Sequence, residues 1–235
     1  MEDPKNVSCE CCRSRWKGVF CGIEQGTLDP VESQKDVLFL KKGRILFQEG
    51  LPSAGFYCVC SGFLKIQKEI AGKTFTLRIA GPGEFLGHCS FFANEACFFT
   101  AEVLKDATVC FFDKNNFMSA LLDNKTLALN VLKDLALELR RAQNDRINSF
   151  AHSVRERTAD ILLMLNKTNG KKSKSGSLIS PPLSREDLAK LIGTSHESVT
   201  RVLHDFKEEG IVDLQKNKIF IKDQKSLLKV IHPRP

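Results

Sequence analysis

The chain has 235 residues, 42% of them hydrophobic and 27% charged, with a net charge of +7. That composition suits a folded globular protein and excludes a disordered chain, and no run approaches the roughly 20 apolar residues that span a bilayer. The length allows one large domain or two small ones, and the opening Met1-Glu2-Asp3-Pro4-Lys5 lacks the apolar core of a secretory signal, which points to the cytoplasm.

Residues 1–30 form a cysteine-rich segment with weak periodicity. Cys9, Cys11 and Cys12 crowd together and Cys21 follows. In a reducing cytosol, clustered thiols point to metal or redox chemistry rather than to structural disulfides. Arg13, Arg15 and Lys17 surround them and favour thiolates. The other five, Cys58, Cys60, Cys89, Cys97 and Cys110, lie among apolar residues and are expected to be mostly buried as small hydrophobes. Residues 31–114 alternate short apolar runs with glycine turns at Gly43, Gly50, Gly62, Gly72 and Gly83. Phe56–Val59, Phe63–Gln67, Thr74–Ile79 and Thr108–Phe112 are rich in aromatic and branched residues. Short strands at this spacing predict an all-β sandwich or barrel.

Residues 115–150 have a helical period. Leu121, Ala128, Leu132, Leu135, Leu139 and Ala142 recur at three- and four-residue steps, with no Gly or Pro between Asn115 and Ser149. Such a stripe predicts a two-fold dimer seam, the alternative being a helix laid on the β-domain. Residues 151–235 are α-rich. Val154, Ile161 and Leu165 mark a helix, and the Lys/Ser/Gly-rich stretch Lys167–Ser177 reads as an exposed connection. This region carries 16 Lys/Arg against 10 Asp/Glu, so +6 of the net +7 sits in the last third, an asymmetry that suggests a part meeting a polyanion.

Leu183 to Gly193 is a short helix opened by Ser184 with Asp187 three residues on, a capping box, and closed by Gly193. A second helix follows, capped by Thr194 or Ser195 and ended by Gly210. Helix, glycine turn, helix is the helix-turn-helix pattern. In the second helix Val199, Val202, Leu203 and Phe206 face inward. His196, Glu197, Thr200, Arg201 and His204 face outward, where a recognition helix meets the major groove. Arg201 can donate twice to guanine, and Glu197, four residues earlier, can accept from cytosine or form an ordinary ion pair with it. Beyond Gly210, alternating residues around Gln215-Lys216-Asn217 predict a β-hairpin wing. Lys216 and Lys218 at its tip, with Ser195, are expected phosphate contacts.

Thr194-Ser-His-Glu-Ser-Val-Thr-Arg-Val-Leu203 resembles the recognition helix of the CRP/FNR family of bacterial transcription regulators. Gly43–Gly50, Tyr57–Gly62 and Gly83-Glu-Phe-Leu-Gly87 resemble its jelly-roll sensor domain. The resemblance covers nearly the whole chain. It implies an α+β homodimer with a β jelly-roll (cyclic-nucleotide-binding-like) sensor, a long dimerisation helix and a C-terminal winged helix-turn-helix. Such a dimer binds double-stranded DNA at a palindromic operator, with Glu197, Thr200, Arg201 and His196 on base edges, and usually activates through RNA polymerase. It implies no enzyme, and a jelly-roll metalloenzyme would need a His-rich barrel, whereas only His88 lies in the first 150 residues.

Cyclic-nucleotide members of the family carry Gly-Glu-Leu and, further on, Arg-Ser/Thr-Ala. Here Gly87-His88-Cys89 and Phe99-Thr100-Ala101 stand in those places, leaving a phosphate without its arginine, so no cyclic nucleotide is expected. FNR-like members hold an oxygen-labile [4Fe–4S] cluster with three N-terminal cysteines and one from the barrel. The resemblance assigns those roles to Cys9, Cys12, Cys21 and Cys110, with Cys11 able to replace Cys9 or Cys12. A cluster-free thiol switch and a structural zinc site remain open on the same residues.

Overall fold

The computed structural model describes residues 12, 14, 18–24, 29, 31–33, 35–173, 175–216 and 218–231. It forms two compact units: residues 1–73 with 77–141, and residues 74–76 with 142–235. Cys9 and Cys11 lie outside the described residues, as does Asn217 at the wing tip.

The first unit is an antiparallel sheet of β1 (Asp36–Leu40), β2 (Ile45–Phe47), β3 (Gly55–Ile70), β4 (Lys73–Ala80), β5 (Phe85–Leu86) and β6 (Thr100–Asp113). The order is β1-β6-β3-β4, with β2 on β6 and β5 on β3. Two runs expected as separate strands, Phe56–Val59 and Phe63–Gln67, belong to the single 16-residue strand β3. Ser61-Gly62 is therefore a bulge and not a turn: the register against β6 shifts on both sides of Ser61. Gly62 has φ +83°, and a Cβ there would sit 2.3 Å from the Asp106 carbonyl oxygen. Only glycine admits that close backbone approach.

The core is aromatic. Phe56 stacks on Phe85 and Phe112 and meets Phe91 and Phe117 edge-on. Phe20, from the cysteine-rich segment, inserts against Phe85 and Phe112 at 5.5 and 5.3 Å. Val19 and Ile23 are buried beside it. Residues 18–23 are thus anchored in the barrel core, although nothing in their spacing announced it.

Helix α1 (His88–Ala93) follows β5, and α2 (Lys114–Asp123) and α3 (Lys125–Ala151) follow β6. The single helix expected from residue 115 is broken at Asn124, which leaves helical geometry and accepts a hydrogen bond from the Leu127 amide at 2.9 Å. Asparagine is a favoured N-cap, so α3 starts afresh there. Helix α3 carries two stripes. Leu127 and Val131 are buried against the barrel, whereas Leu132 and Leu139 are each 61% exposed. The helix laid on the β-domain is what the single chain shows, with Leu135 of the expected seam also packed against the barrel core, while Leu132 and Leu139 stay exposed.

The second unit comprises α4 (Val154–Asn169), β7 (Lys171–Ser173), β8 (Gly176–Leu178), α5 (Arg185–Ile192), α6 (His196–Glu208), β9 (Val212–Gln215), β10 (Lys218–Ile221) and α7 (Gln224–Ile231). The stretch read as an open connection, Lys167–Ser177, instead ends α4 and forms the β7–β8 hairpin. That hairpin extends the wing sheet in the order β7-β8-β10-β9. Its Lys/Ser/Gly composition hides it, because an exposed edge hairpin has no buried face to produce alternation. Among the described residues no helix is long and apolar enough to cross a membrane.

Candidate nucleic-acid interface and thiol site

The second unit builds the helix-turn-helix from its caps. Ser184 accepts from the Asp187 amide at 3.0 Å and donates to the Asp187 carboxylate at 2.7 Å, fixing the start of α5. Gly193 ends that helix at φ +73°, a left-handed residue that glycine adopts freely. Ser195 then caps α6 by accepting from the Ser198 amide at 3.2 Å. Val199, Val202, Leu203 and Phe206 are buried, as their spacing demands. His196, Glu197, Thr200, Arg201 and His204 are all exposed on the opposite face. Glu197 and Arg201 are not paired within ion-pair distance, so the guanidinium stays available for a ligand. The Glu197 carboxyl is held below its usual range by its own backbone N–H and by Ser195. On the far side of α6, Glu209 takes two 2.7 Å contacts from Arg155, whose guanidinium lies 4.6 Å from the Phe206 ring. That arrangement ties α4 to the recognition helix and holds its presentation rigid. β9 and β10 form the wing, with Lys216 (φ 51°) and Lys218 exposed at its turn.

The first unit gathers thiols. Cys60 Sγ lies 3.3 Å from Cys110 Sγ, across β3 and β6. Cys12 hydrogen-bonds to Cys60 as well. Ser14 donates to the Cys60 carbonyl at 2.6 Å and pins the N-terminal chain beside them. The hydrogen bond from Cys60 holds the Cys110 thiol below its usual range, against burial and with help from Lys35. Cys60 itself is pushed well up, by bonding to Cys110 and Cys12 and by burial. Of the pair, Cys110 is thus the thiol shifted toward ionisation. Of the expected cluster ligands, the structure brings Cys12 and Cys110 to one place. The Cys21 side chain is exposed, and among the described residues its thiol forms no hydrogen bond with them. Its backbone carbonyl, with that of Val19, accepts from Asn130 of α3 at 2.9 and 2.8 Å. Cys58 and Cys97 are buried as expected, whereas Cys89 is exposed. Cys60 and Asn130 escaped the sequence reading. Cross-strand register across a bulge cannot be read from one strand, and a lone Asn in a helix carries no signal.

The barrel face of α3 continues past Leu127 and Val131 as Asp134 and Glu138, in steps of four, three and four. These carboxylates reach the residues that replace the nucleotide-binding pattern. His88 Nε2 lies 2.6 Å from Glu138 and 4.0 Å from Asp134. Arg78 bonds Glu84 and lies 3.5 Å from Glu138. Burial alone would lower the His88 pKa, but Cys89 and Glu138 overcome it and carry it up to about 9. Burial would raise that of Glu138, but His88 and Arg78 hold it at about 2. Phe99, in the place of the phosphate-binding arginine, packs edge-on against Phe98 at 4.7 Å.

Comparison with known proteins identifies both units. The Crp-like helix-turn-helix domain matches residues 156–230, and the cyclic nucleotide-binding domain matches residues 37–124. The chain is 27% identical over 211 residues to the CRP-like cAMP-activated global transcriptional regulator of Mycobacterium tuberculosis, covering 89% of this chain and 94% of that one. It is 28% identical over 192 residues to the anaerobic regulatory protein of Bacillus subtilis, covering 81% of each. The fold superposes on that of FixK2 from Bradyrhizobium japonicum with a TM-score of 0.75 at 20% identity, over 83% of this chain and 96% of that one.

Proposed function

Because the chain belongs to the CRP/FNR family of DNA-binding transcription regulators, we propose that its cysteines gate that binding in response to oxygen or another oxidant. The observation that carries this reading is the convergence of Cys12, Cys60 and Cys110 on a segment anchored at both the barrel core and the long helix. A set of thiolate donors with one thiol already biased toward ionisation suits iron in a [4Fe–4S] cluster. Cys12 and Cys110 would be ligands, with Cys9 and Cys21 completing the set. When bound, such a cluster supplies an oxygen-labile cross-link between the N-terminal segment and strand β6. The chain's own residues turn that link into a signal. Val19, Phe20 and Ile23 hold the segment in the core, and Asn130 couples its backbone to α3. Any shift of the segment thus acts on the helix whose other face, Leu132 and Leu139, is the surface for the second copy. The homodimer then places two α6 helices on a palindromic operator, with base contacts from Glu197, Thr200, Arg201 and His196 and phosphate contacts from Ser195, Lys216 and Lys218. Activation would proceed through contact with RNA polymerase. Cyclic nucleotide is not the effector on this reading, because Phe99 offers no charge to a phosphate.

One observation favours a second mechanism on the same residues. At 3.3 Å the Cys60 and Cys110 sulfurs are in van der Waals contact, about 1.3 Å beyond a disulfide bond. Oxidation would join their sulfurs and release two protons and two electrons, taken up by a peroxide that is reduced to water or alcohol. Iron and acid-labile sulfide assays on anaerobically purified protein, with operator binding measured before and after air, separate the two. Near-stoichiometric iron and sulfide lost in air supports the cluster. Metal-free protein that gains a Cys60–Cys110 disulfide under peroxide supports the switch. Colourless protein whose DNA binding ignores every oxidant overturns both.

A further inference from the structure

His88 is only 5% exposed, yet neither ring nitrogen makes a hydrogen bond of acceptable angle. It faces a set of donors drawn from two elements. Cys89 follows it at the start of α1, and Glu138 projects from α3. The ligand atoms of these three all lie within 4.8 Å of one another. Cys89 Sγ is 3.7 Å and His88 Nε2 is 2.6 Å from the same Glu138 oxygen, and Asp134 lies 4.0 Å from His88. We propose that His88, Cys89 and Glu138, with Asp134 as the remaining donor, form a site for one divalent cation of the zinc class.

The chemistry and the spacing agree. Imidazole, thiolate and carboxylate together select a borderline metal such as Zn2+ over Mg2+ or Ca2+, which prefer oxygen alone. Zinc sits about 2.0–2.3 Å from such ligands in a tetrahedron, whose edges are then roughly 3.3–3.7 Å. The 3.7 Å Cys89–Glu138 separation already has that size, while the His88–Glu138 pair must open by about 0.7 Å and Asp134, 4.0 Å from His88, must approach, movements within the two carboxylate side chains. With His88 and Cys89 each giving up a proton to solvent, two carboxylates and a thiolate against the dication leave one negative charge, beside Arg78, which lies 3.5 Å from Glu138 and also bonds Glu84. Asp134 and Glu138 are one turn apart on the barrel face of α3, so the ion would fasten α1 of the sensor to the long helix. The site uses none of the Cys12, Cys60 and Cys110 thiols and stands independently of how those are gated.

Cys89 is exposed, so its alkylation reports the site directly in the intact protein. The full chain, stripped with a chelator, is treated with a thiol alkylating reagent with and without Zn2+, and each cysteine is quantified by peptide mass spectrometry. Zn2+ is expected to slow labelling of Cys89 about tenfold or more, and chelator to restore it. Glu138→Gln and Asp134→Asn, at half-buried positions of α3, are expected to raise the Zn2+ concentration needed by about 10–100-fold. Co2+ should add a thiolate charge-transfer band that Cys89→Ser removes. Labelling of Cys89 at one rate with and without Zn2+ overturns the proposal. So does protection that Glu138→Gln leaves unchanged, because Cys89 would then bind the ion without the cluster.

Discussion

Replacing Asn130 with alanine should loosen the cysteine-bearing segment without disturbing the barrel. The side chain donates to the Val19 and Cys21 carbonyls at 2.8 and 2.9 Å, and these are its two bonds to that segment. Each such bond contributes about 0.5–1.5 kcal/mol net, so the pair is worth about 1–3 kcal/mol. Asn130 is half-buried, and water can partly replace it on the freed carbonyls, which favours the lower half of that range. At about 1.4 kcal/mol per factor of ten, protection of the segment should fall roughly 5–30-fold. Hydrogen exchange of peptides covering residues 18–24 measures this, with the Cys21 amide, bonded to Gly18 at 3.1 Å, as the sensitive probe. Asn130→Asp should lose more, since a carboxylate would face two carbonyl oxygens. Peptides from α6 should exchange as before. If residues 18–24 exchange at the wild-type rate in both variants, Asn130 does not hold the segment and the proposed coupling to α3 has no physical link.

Other expectations concern separate parts of the chain. Arg201→Ala should lower discrimination at one base position by about 1–3 kcal/mol, while Lys216→Ala should weaken all sequences alike and flatten the salt dependence; competition binding over operator variants distinguishes them, and equal losses on every sequence for both would count against base reading by Arg201. Leu139→Glu places a charge at a residue 61% exposed in one copy, so light scattering should show a shift toward monomer with an unchanged circular dichroism spectrum; an unaltered dimer would remove this face from the interface. Phe206→Ala empties the centre of the helix-turn-helix core and should cost about 3–5 kcal/mol in denaturant unfolding of that unit. Gly62→Ala forces a left-handed backbone at about 1–2 kcal/mol and adds a clash with the Asp106 carbonyl, so it should destabilise the barrel by several times the cost of Gly72→Ala, where no atom lies within 4 Å.

The second unit was legible because its signals are local. Ser184, Gly193 and Ser195 act within one helical turn of themselves, and the period of Val199, Val202, Leu203 and Phe206 separates core from DNA face without reference to any other element. The barrel was legible only as strands and turns. Whether Ser61-Gly62 turns the chain or bulges it depends on Asp106 and Ala107, more than 40 residues away. The Lys167–Ser177 hairpin was invisible because it has no buried face, and the break at Asn124 because one capping residue outweighs an unbroken apolar period.

The sequence by itself determined that this chain carries a winged helix-turn-helix, a β domain and an amphipathic helix between them, and that its thiols cluster at the front. The tertiary structure decided which thiols meet. It set Cys60 against Cys110, Asn130 against Cys21, and Glu138 against His88 and Cys89. Those choices rest on strand register and helix rotation, which are fixed by packing over the whole first unit, whereas periodicity and capping are fixed within a few residues.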